Sequence, residues 1–171
     1  FSRSKRQGEA LIAASGAPFA ILRPGFVIAP AAYGGSALMR ALASLPARLP
    51  TREATSPFAA IALSDIGETV ARIAARWRTG ERHWAVRWDL MEEHPGTVQD
   101  MVEAFRAHGG GPAPVMTLPG FLMNLGILAG DAVAWLGWTP PTRSTAIQEM
   151  RRGLKGDPGP WIAATGIAPR S

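Results

Sequence analysis

Cysteine is absent from the 171 residues, which excludes a disulfide scaffold, a thiol nucleophile and any zinc site built on thiolates. Histidine is scarce too. His83, His94 and His108 stand far apart, none has a partner at His-x-x-x-His spacing, and the acids near Asp89, Glu92 and Glu93 lack the EF-hand pattern. No metal site is expected. A Gly-x-Ser-x-Gly nucleophile elbow is missing, so a serine hydrolase has no starting point. The glycine runs Gly34-Gly35 and Gly109-Gly110-Gly111 match neither the phosphate loop ending in Lys-Ser/Thr nor the dinucleotide fingerprint, and read as a turn and a helix stop.

Charge is sparse at 18% of residues, against 47% hydrophobic. The 19 Gly and 15 Pro are spread through the chain rather than gathered in tracts, which excludes wholesale disorder, collagen and coiled coil. A single chain of this length buries about 68–70% of its unfolded surface, enough for one sizeable core. The net charge of +5 comes from 18 Lys+Arg against 13 Asp+Glu, and only Lys5 and Lys155 are Lys. Because the arginines form no long basic run, a nucleic-acid partner is not expected. The N-terminal Phe1-Ser2-Arg3-Ser4-Lys5 has no basic region leading into an apolar core, so no signal peptide is expected. The longest apolar stretch, 119–138, is broken by Asn124, Asp131 and four Gly. A central Asp costs about 2.5–3.5 kcal/mol on the membrane-insertion scale, so the stretch reads as a buried or groove-lining helix and not as a transmembrane span. A cytoplasmic location follows as an expectation.

Residues 2–16 suit a helix stopped by Ser15-Gly16, and Pro18 forces a new element. Phe19-Ala20-Ile21-Leu22 is a short continuous apolar run bounded by Pro18 and Arg23-Pro24-Gly25, the pattern of a parallel strand buried on both faces. Gly25 to Pro30 then leaves the C-terminal edge of that strand, where open α/β sheets place their ligands. After the turn at Tyr33-Gly34-Gly35, Ser36 is the expected cap of a helix that carries Leu38, Leu42 and Leu45 and ends at Pro46. Residues 47–58 read as an irregular loop and 59–63 as a strand. Asp65 and Glu68 have the spacing of a capping box, with Ile66, Val70, Ile73 and Trp77 recurring on one helix face. Trp77 is therefore expected in the core, with Arg72, Arg76, Arg78, Arg82 and Arg87 as a solvated surface. Residues 84–89 alternate as a strand with Trp84, Val86 and Trp88 on one side. Thr97 and Asp100 signal a cap, the stripe Val98, Met101, Val102 and Phe105 runs to the triple glycine, and 115–118 is extended. A helix from Pro119 to about Leu136 and a last one starting at Thr142 or Ser144, carrying Ile147 and Met150, complete the order. Such alternation, followed mostly by helices, predicts an α/β protein.

Three segments carry a resemblance: Phe1-x-x-x-Lys5 on a helix, Arg23-Pro24-Gly25-Phe26-Val27-Ile28-Ala29-Pro30 after the next strand, and Leu63-Ser64-Asp65-Ile66 further on. In order and interval they resemble the extended and atypical short-chain dehydrogenase/reductase superfamily, whose members carry Tyr-x-x-x-Lys, an Arg-Pro-x-x-Val-Tyr-Gly-Pro-like segment and a Val-x-Asp-Val/Ile helix start. The C-terminal Leu136-Gly137-Trp138-Thr139-Pro140-Pro141, with Gly156-Asp157-Pro158 and Trp161, is similar to an atypical bacterial branch. That branch is related to epimerase/dehydratase-like proteins and to an accessory subunit of respiratory complex I.

The resemblance implies that Lys5 binds the nicotinamide-ribose hydroxyls and that Pro24, Gly25, Phe26, Val27 and Ile28 run past the nicotinamide and its carboxamide. In the family, the Tyr hydroxyl handles the substrate proton, with its pKa lowered by the Lys charge. This chain has Phe1 at that position, and a phenyl ring has no proton to give. From the residues alone, Lys5 is equally a solvated helix residue pairing with Glu9, and 24–28 equally a rigid strand-to-helix connection. Asp65 reads as a helix cap rather than a catalyst.

The family's Gly-rich phosphate loop has no counterpart here, so the resemblance implies the C-terminal portion of a longer protein: 1–171 as one fragment. Residues 1–90 would be the end of a Rossmann-type parallel sheet with inserted substrate-side segments, and 91–171 a mainly helical substrate-side lobe. NAD or NADP would be the cofactor of the complete protein, with the remainder of its own nucleotide-binding domain and a small-molecule substrate as partners. The implied chemistry is oxidoreductase or epimerase/dehydratase-like, at a carbonyl/alcohol carbon. The alternative is a non-catalytic nucleotide-binding or structural subunit of a larger complex.

Overall fold

The computed structural model of the chain describes residues 2–32, 34–135, 137 and 144–170. Helix α1 (Ser2–Ala14) ends where its sequence predicts, with Gly16 in the left-handed region at a φ of 70° and Pro18 unable to continue the helix. The apolar run beyond it forms β1 (Phe19–Pro24), and after Gly25 the chain continues as β2 (Phe26–Ile28). There follow α2 (Gly35–Ala43), β3 (Ala47–Arg48), α3 (Thr51–Ala54), β4 (Pro57–Phe58), β5 (Ala60–Ala62), α4 (Leu63–Arg78) and β6 (Ala85–Leu90). The C-terminal part holds β7 (Gly96–Thr97), α5 (Val98–Gly109), β8 (Met116–Thr117), α6 (Gly120–Trp135), α7 (Ser144–Arg152) and α8 (Gly159–Thr165).

Among the described residues, three of the four pairings between named strands are parallel. β1 runs beside β6 in the register Phe19↔Ala85 to Pro24↔Leu90, β2 beside β5 with Phe26↔Ala60, and β3 beside β8. The fourth, β4 with β7, is antiparallel. Parallel strands interleaved with helices, with a helical lobe after them, make this an α/β Rossmann-like architecture. Among the described residues no helix is long and apolar enough to cross a membrane.

Two apolar cores hold these layers. One joins Leu38 and Met39 of α2, Phe58, Val98 and Val102 of α5, Met123 of α6, and Ile147 and Met150 of α7. The other joins Ile61, Trp84, Trp88 and Leu90 to Trp161 of α8 and to Ile167. Each core draws on both sides of residue 90: in the first α5, α6 and α7 pack against α2 and Phe58, and in the second α8 returns across β6. Trp161 is fully buried, and its indole N–H donates to Thr69 Oγ1 at 3.0 Å, so the one polar atom of the ring is satisfied inside the core.

The capping box of α5 forms as predicted. Asp100 N–H donates to Thr97 Oγ1 at 3.2 Å, Thr97 N–H donates to Asp100 Oδ2 at 2.8 Å, and Gly110 closes the far end at a φ of 65°. Ile147 and Met150 are buried on α7 as predicted, while α8 adds a further helix; Thr142 lies outside the described residues.

Elsewhere local signals yield to tertiary packing. β1 is half-buried rather than buried on both faces, because among the described residues only β6 pairs with it. Ser36 is not a cap: Gly34 precedes α2 with a φ of 53° and Ser36 is buried in the first turn. Residues 47–58 are ordered as β3, α3 and β4 instead of a loop. At α4 the cap position is Ala62, and Asp65 and Thr69 turn inward toward α8 and the segment after it. That rotation leaves Val70 exposed and Trp77 43% exposed, with the Arg82 guanidinium 4.1 Å above the Trp77 ring, contrary to the expected core position. Helix α6 buries only Met123 and Gly130, and Phe121, Leu125, Leu128 and Trp135 face outward, so it is neither buried nor fully groove-lining.

Candidate functional site

The strand β1 changes partners at one residue. Gly25 N–H donates to Leu90 O at the end of β6 at 2.9 Å, and the next N–H, of Phe26, donates to Ala59 O beside β5 at 2.9 Å. A Cβ on Gly25 would fall 2.7 Å from Ala59 O and 3.1 Å from Met91 Cβ, so only glycine lets the two strand pairs meet this closely. The change of partners lies at the C-terminal ends of β1 and β6, the edge at which open α/β sheets bind ligands.

Two clefts flank the segment. Gly25, Phe26 and Val27 line one of about 400 Å³ together with Ser36, Leu38 and Met39 of α2, Phe58 of β4, and Met150, Gly153 and Leu154. Ile28, Ala29 and Pro30 line the second, of about 660 Å³, with Arg40, Met101, Phe105 and His108. Arg40 ties this stretch to α2: its guanidinium donates to Ala29 O at 2.8 Å and to Pro30 O at 3.3 Å, and lies 5.2 Å from the Phe105 ring centre. The expected strand-to-helix connection is thus a second strand, β2, followed by a stretch pinned by an arginine.

Lys5 lies on α1 and is exposed. The helix runs back along β1, with Glu9 bonded to Arg23, so Lys5, four residues earlier, lies about one 5.4 Å turn further toward the strand's C-terminal end. It is not among the described residues lining either cleft. Pro24 is exposed at the end of β1, and Phe1 lies outside the described residues.

Sequence reasoning missed the polar ladder at this edge. Arg23 bonds Glu9 through Nε and Nη2 and lies 3.9 Å from Asp89 Oδ1; Asp89 Oδ2 in turn accepts the Asp157 N–H at 3.2 Å. The Arg23 hydrogen bonds hold the Glu9 carboxyl below the usual carboxylate range. Gly156 allows this contact, since a Cβ there would lie 2.5 Å from Asp89 Oδ2. The signal was present as Gly156-Asp157-Pro158, but its partner is 68 residues away. Asp65 is fully buried and serves the C-terminal segment: its Oδ2 accepts the Arg170 N–H at 2.9 Å, and Arg170 Nε lies 3.0 Å from Oδ1.

No family model matches the chain, and no curated protein matches it. Among solved structures, the crystal structure of gox2253 superposes with a TM-score of 0.61 at 17% identity, over 98% of this chain and 49% of that one. The likeness is one of fold, and this chain spans about half the length of the structure it matches.

Proposed function

We propose that the chain forms the substrate-side part of a nicotinamide-nucleotide-dependent protein, an oxidoreductase or epimerase/dehydratase-like enzyme acting at a carbonyl or alcohol carbon. The observation that carries this is the change of strand partners at Gly25: a cleft opens where parallel strands end, and α1 carries Lys5 toward the same end. Lys5 would hold the ribose hydroxyls of NAD or NADP through its ammonium group. The Phe26 N–H is committed to Ala59, and strand alternation turns the Val27 N–H to the other edge, where a carboxamide oxygen can accept it. When bound, the nicotinamide supplies or accepts the hydride. Lys5 and 24–28 position it, and the apolar walls around Phe26 and Phe58 keep water from the reacting carbon. The remaining strands and the phosphate grip would come from the rest of the nucleotide-binding domain, in a cytoplasmic protein.

Fluorescence titration of the intact native polypeptide with NADH and NADPH tests this: saturable binding of either is expected, and binding of neither removes the cofactor from the proposal.

Phe1 favours a second reading, a non-catalytic nucleotide-binding or structural subunit, since the position that carries the family's acid/base has no titratable proton. Phe1→Tyr separates the two. Carbonyl-dependent NAD(P)H oxidation that appears or rises in the variant marks an enzyme site, and none in either protein marks a scaffold.

A further inference from the structure

We infer, on the basis of the oxidoreductase reading above, that the cleft at Gly25 receives a neutral aromatic carbonyl or alcohol compound and excludes sugar nucleotides. Phe26 and Phe58 form one wall, with ring centres 4.9 Å apart and planes tilted by 47°. Met39 and Met150 also line the cleft, and both belong to the core, so their positions are fixed by packing. Thioether sulfur packs well against aromatic rings, and unbranched methionine side chains conform to a flat ligand. A tilted phenylalanine pair offers both an edge and a face to a third ring. The volume, about 400 Å³, falls in the small-molecule range and accommodates a one- or two-ring compound.

What the lining omits decides against the charged alternative. Among the described residues around this cleft, none is charged and Ser36 is the one polar side chain. A diphosphate carries negative charge that must meet cations or N–H donors when it leaves water, and apolar walls supply neither. The neighbouring cleft differs in kind, since Arg40 and His108 line it.

The test is ligand-observed saturation-transfer NMR on the intact native polypeptide, with 2-acetonaphthone as the probe and UDP-glucose as the competitor. Leu154 lines the cleft with its backbone held by two bonds, its N–H to Pro57 O and its carbonyl from Ala59 N–H, each 2.8 Å, so Leu154→Glu brings a charge to the lining without releasing the chain. The ketone is expected to bind saturably, to weaken at least fivefold in Leu154→Glu and two- to threefold in the volume-conserving Met150→Leu, and to resist displacement by UDP-glucose. Should Leu154→Glu fail to fold, Met150→Leu carries the comparison. No ketone binding, affinity indifferent to both substitutions, or displacement by UDP-glucose overturns the inference. NADH titrations of the same samples keep the two claims apart. NADH binding without ketone binding defeats the substrate class alone, while site-sensitive ketone binding without NADH binding supports the cleft's ligand class and defeats the nucleotide reading.

Discussion

Glu9 accepts hydrogen bonds from Arg23, Nε to Oε1 at 3.1 Å and Nη2 to Oε2, and so joins α1 to the end of β1 across a helix–strand hairpin. This pair sets how far α1 reaches past the strand, and with it the position of Lys5. Arg23→Met is expected to speed amide hydrogen exchange in 2–14 while β1 keeps its protection. The Glu9 carboxyl is held below its ordinary value by Arg23, so the attraction is in place above the usual carboxylate pKa and fades as pH falls through the lowered folded one. The protection factor of α1, taken against the intrinsic exchange rate at each pH, should therefore fall on acidification in the unmodified protein, and that of the Arg23→Met variant should respond less.

Gly25→Ala places a methyl group 2.7 Å from a backbone carbonyl that is itself bonded to Phe26, so strands and not a flexible side chain must move. Overpacking of this kind costs about 1–3 kcal/mol. Urea unfolding should show that loss, and the ketone affinity at the adjoining cleft should fall with it.

Arg170 covers a carboxylate that is fully buried at Asp65. In Arg170→Met the backbone N–H still bonds Asp65 Oδ2, but the fully buried carboxylate loses its ion pair at Oδ1, an atom with no hydrogen bond of its own, and stability should fall. Chemical denaturation measures the loss. Arg170→Lys, which keeps the charge without the planar donors, should recover part of it.

The cap of α5 sets a third stability expectation. Thr97→Ala removes the hydroxyl that accepts the Asp100 N–H and should cost about 1 kcal/mol. Hydrogen bonds from the Thr97 hydroxyl, and then from its backbone N–H, lower the Asp100 pKa. That stabilisation is complete above the ordinary Asp value and is lost as pH drops through the folded one. The stability gap between the unmodified protein and Asp100→Asn should accordingly narrow under acid titration.

The elements best read from sequence are those whose signals are local and whose packing partner lies on one side. The Thr97–Asp100 box, the Val98–Val102 stripe and the alternation of Trp84, Val86 and Trp88 each state their own buried face. Helix α4 does not, because its inward face is Asp65, Thr69 and Arg72, polar residues whose partners Trp161, Thr165 and Arg170 lie about ninety residues or more beyond. Of the hydrophobic stripe, Ile66 and Ile73 pack against the second core, whereas Val70 and Trp77 lie roughly 120° round the helix from the polar face and stay exposed. Helix α6 is apolar on nearly every side, and such a pattern contains no phase from which to choose a face. At the candidate site, the stretch Gly25 to Pro30 was legible as leaving the ligand edge of the strand, whereas the Glu9–Arg23–Asp89 ladder joins three distant segments and leaves no periodic trace. The two short pairs β3–β8 and β4–β7 arise from register between remote strands of two residues each, too brief for any pattern.

The most direct measurement is an NADH fluorescence titration of the intact native polypeptide beside its Lys5→Met and Arg3→Met variants. Saturable binding that weakens at least tenfold in Lys5→Met and stays unchanged in Arg3→Met is the expected result. Equal affinity in all three, or no binding by the unmodified protein, contradicts a nicotinamide site at the mouth formed by α1 and the strand switch at Gly25.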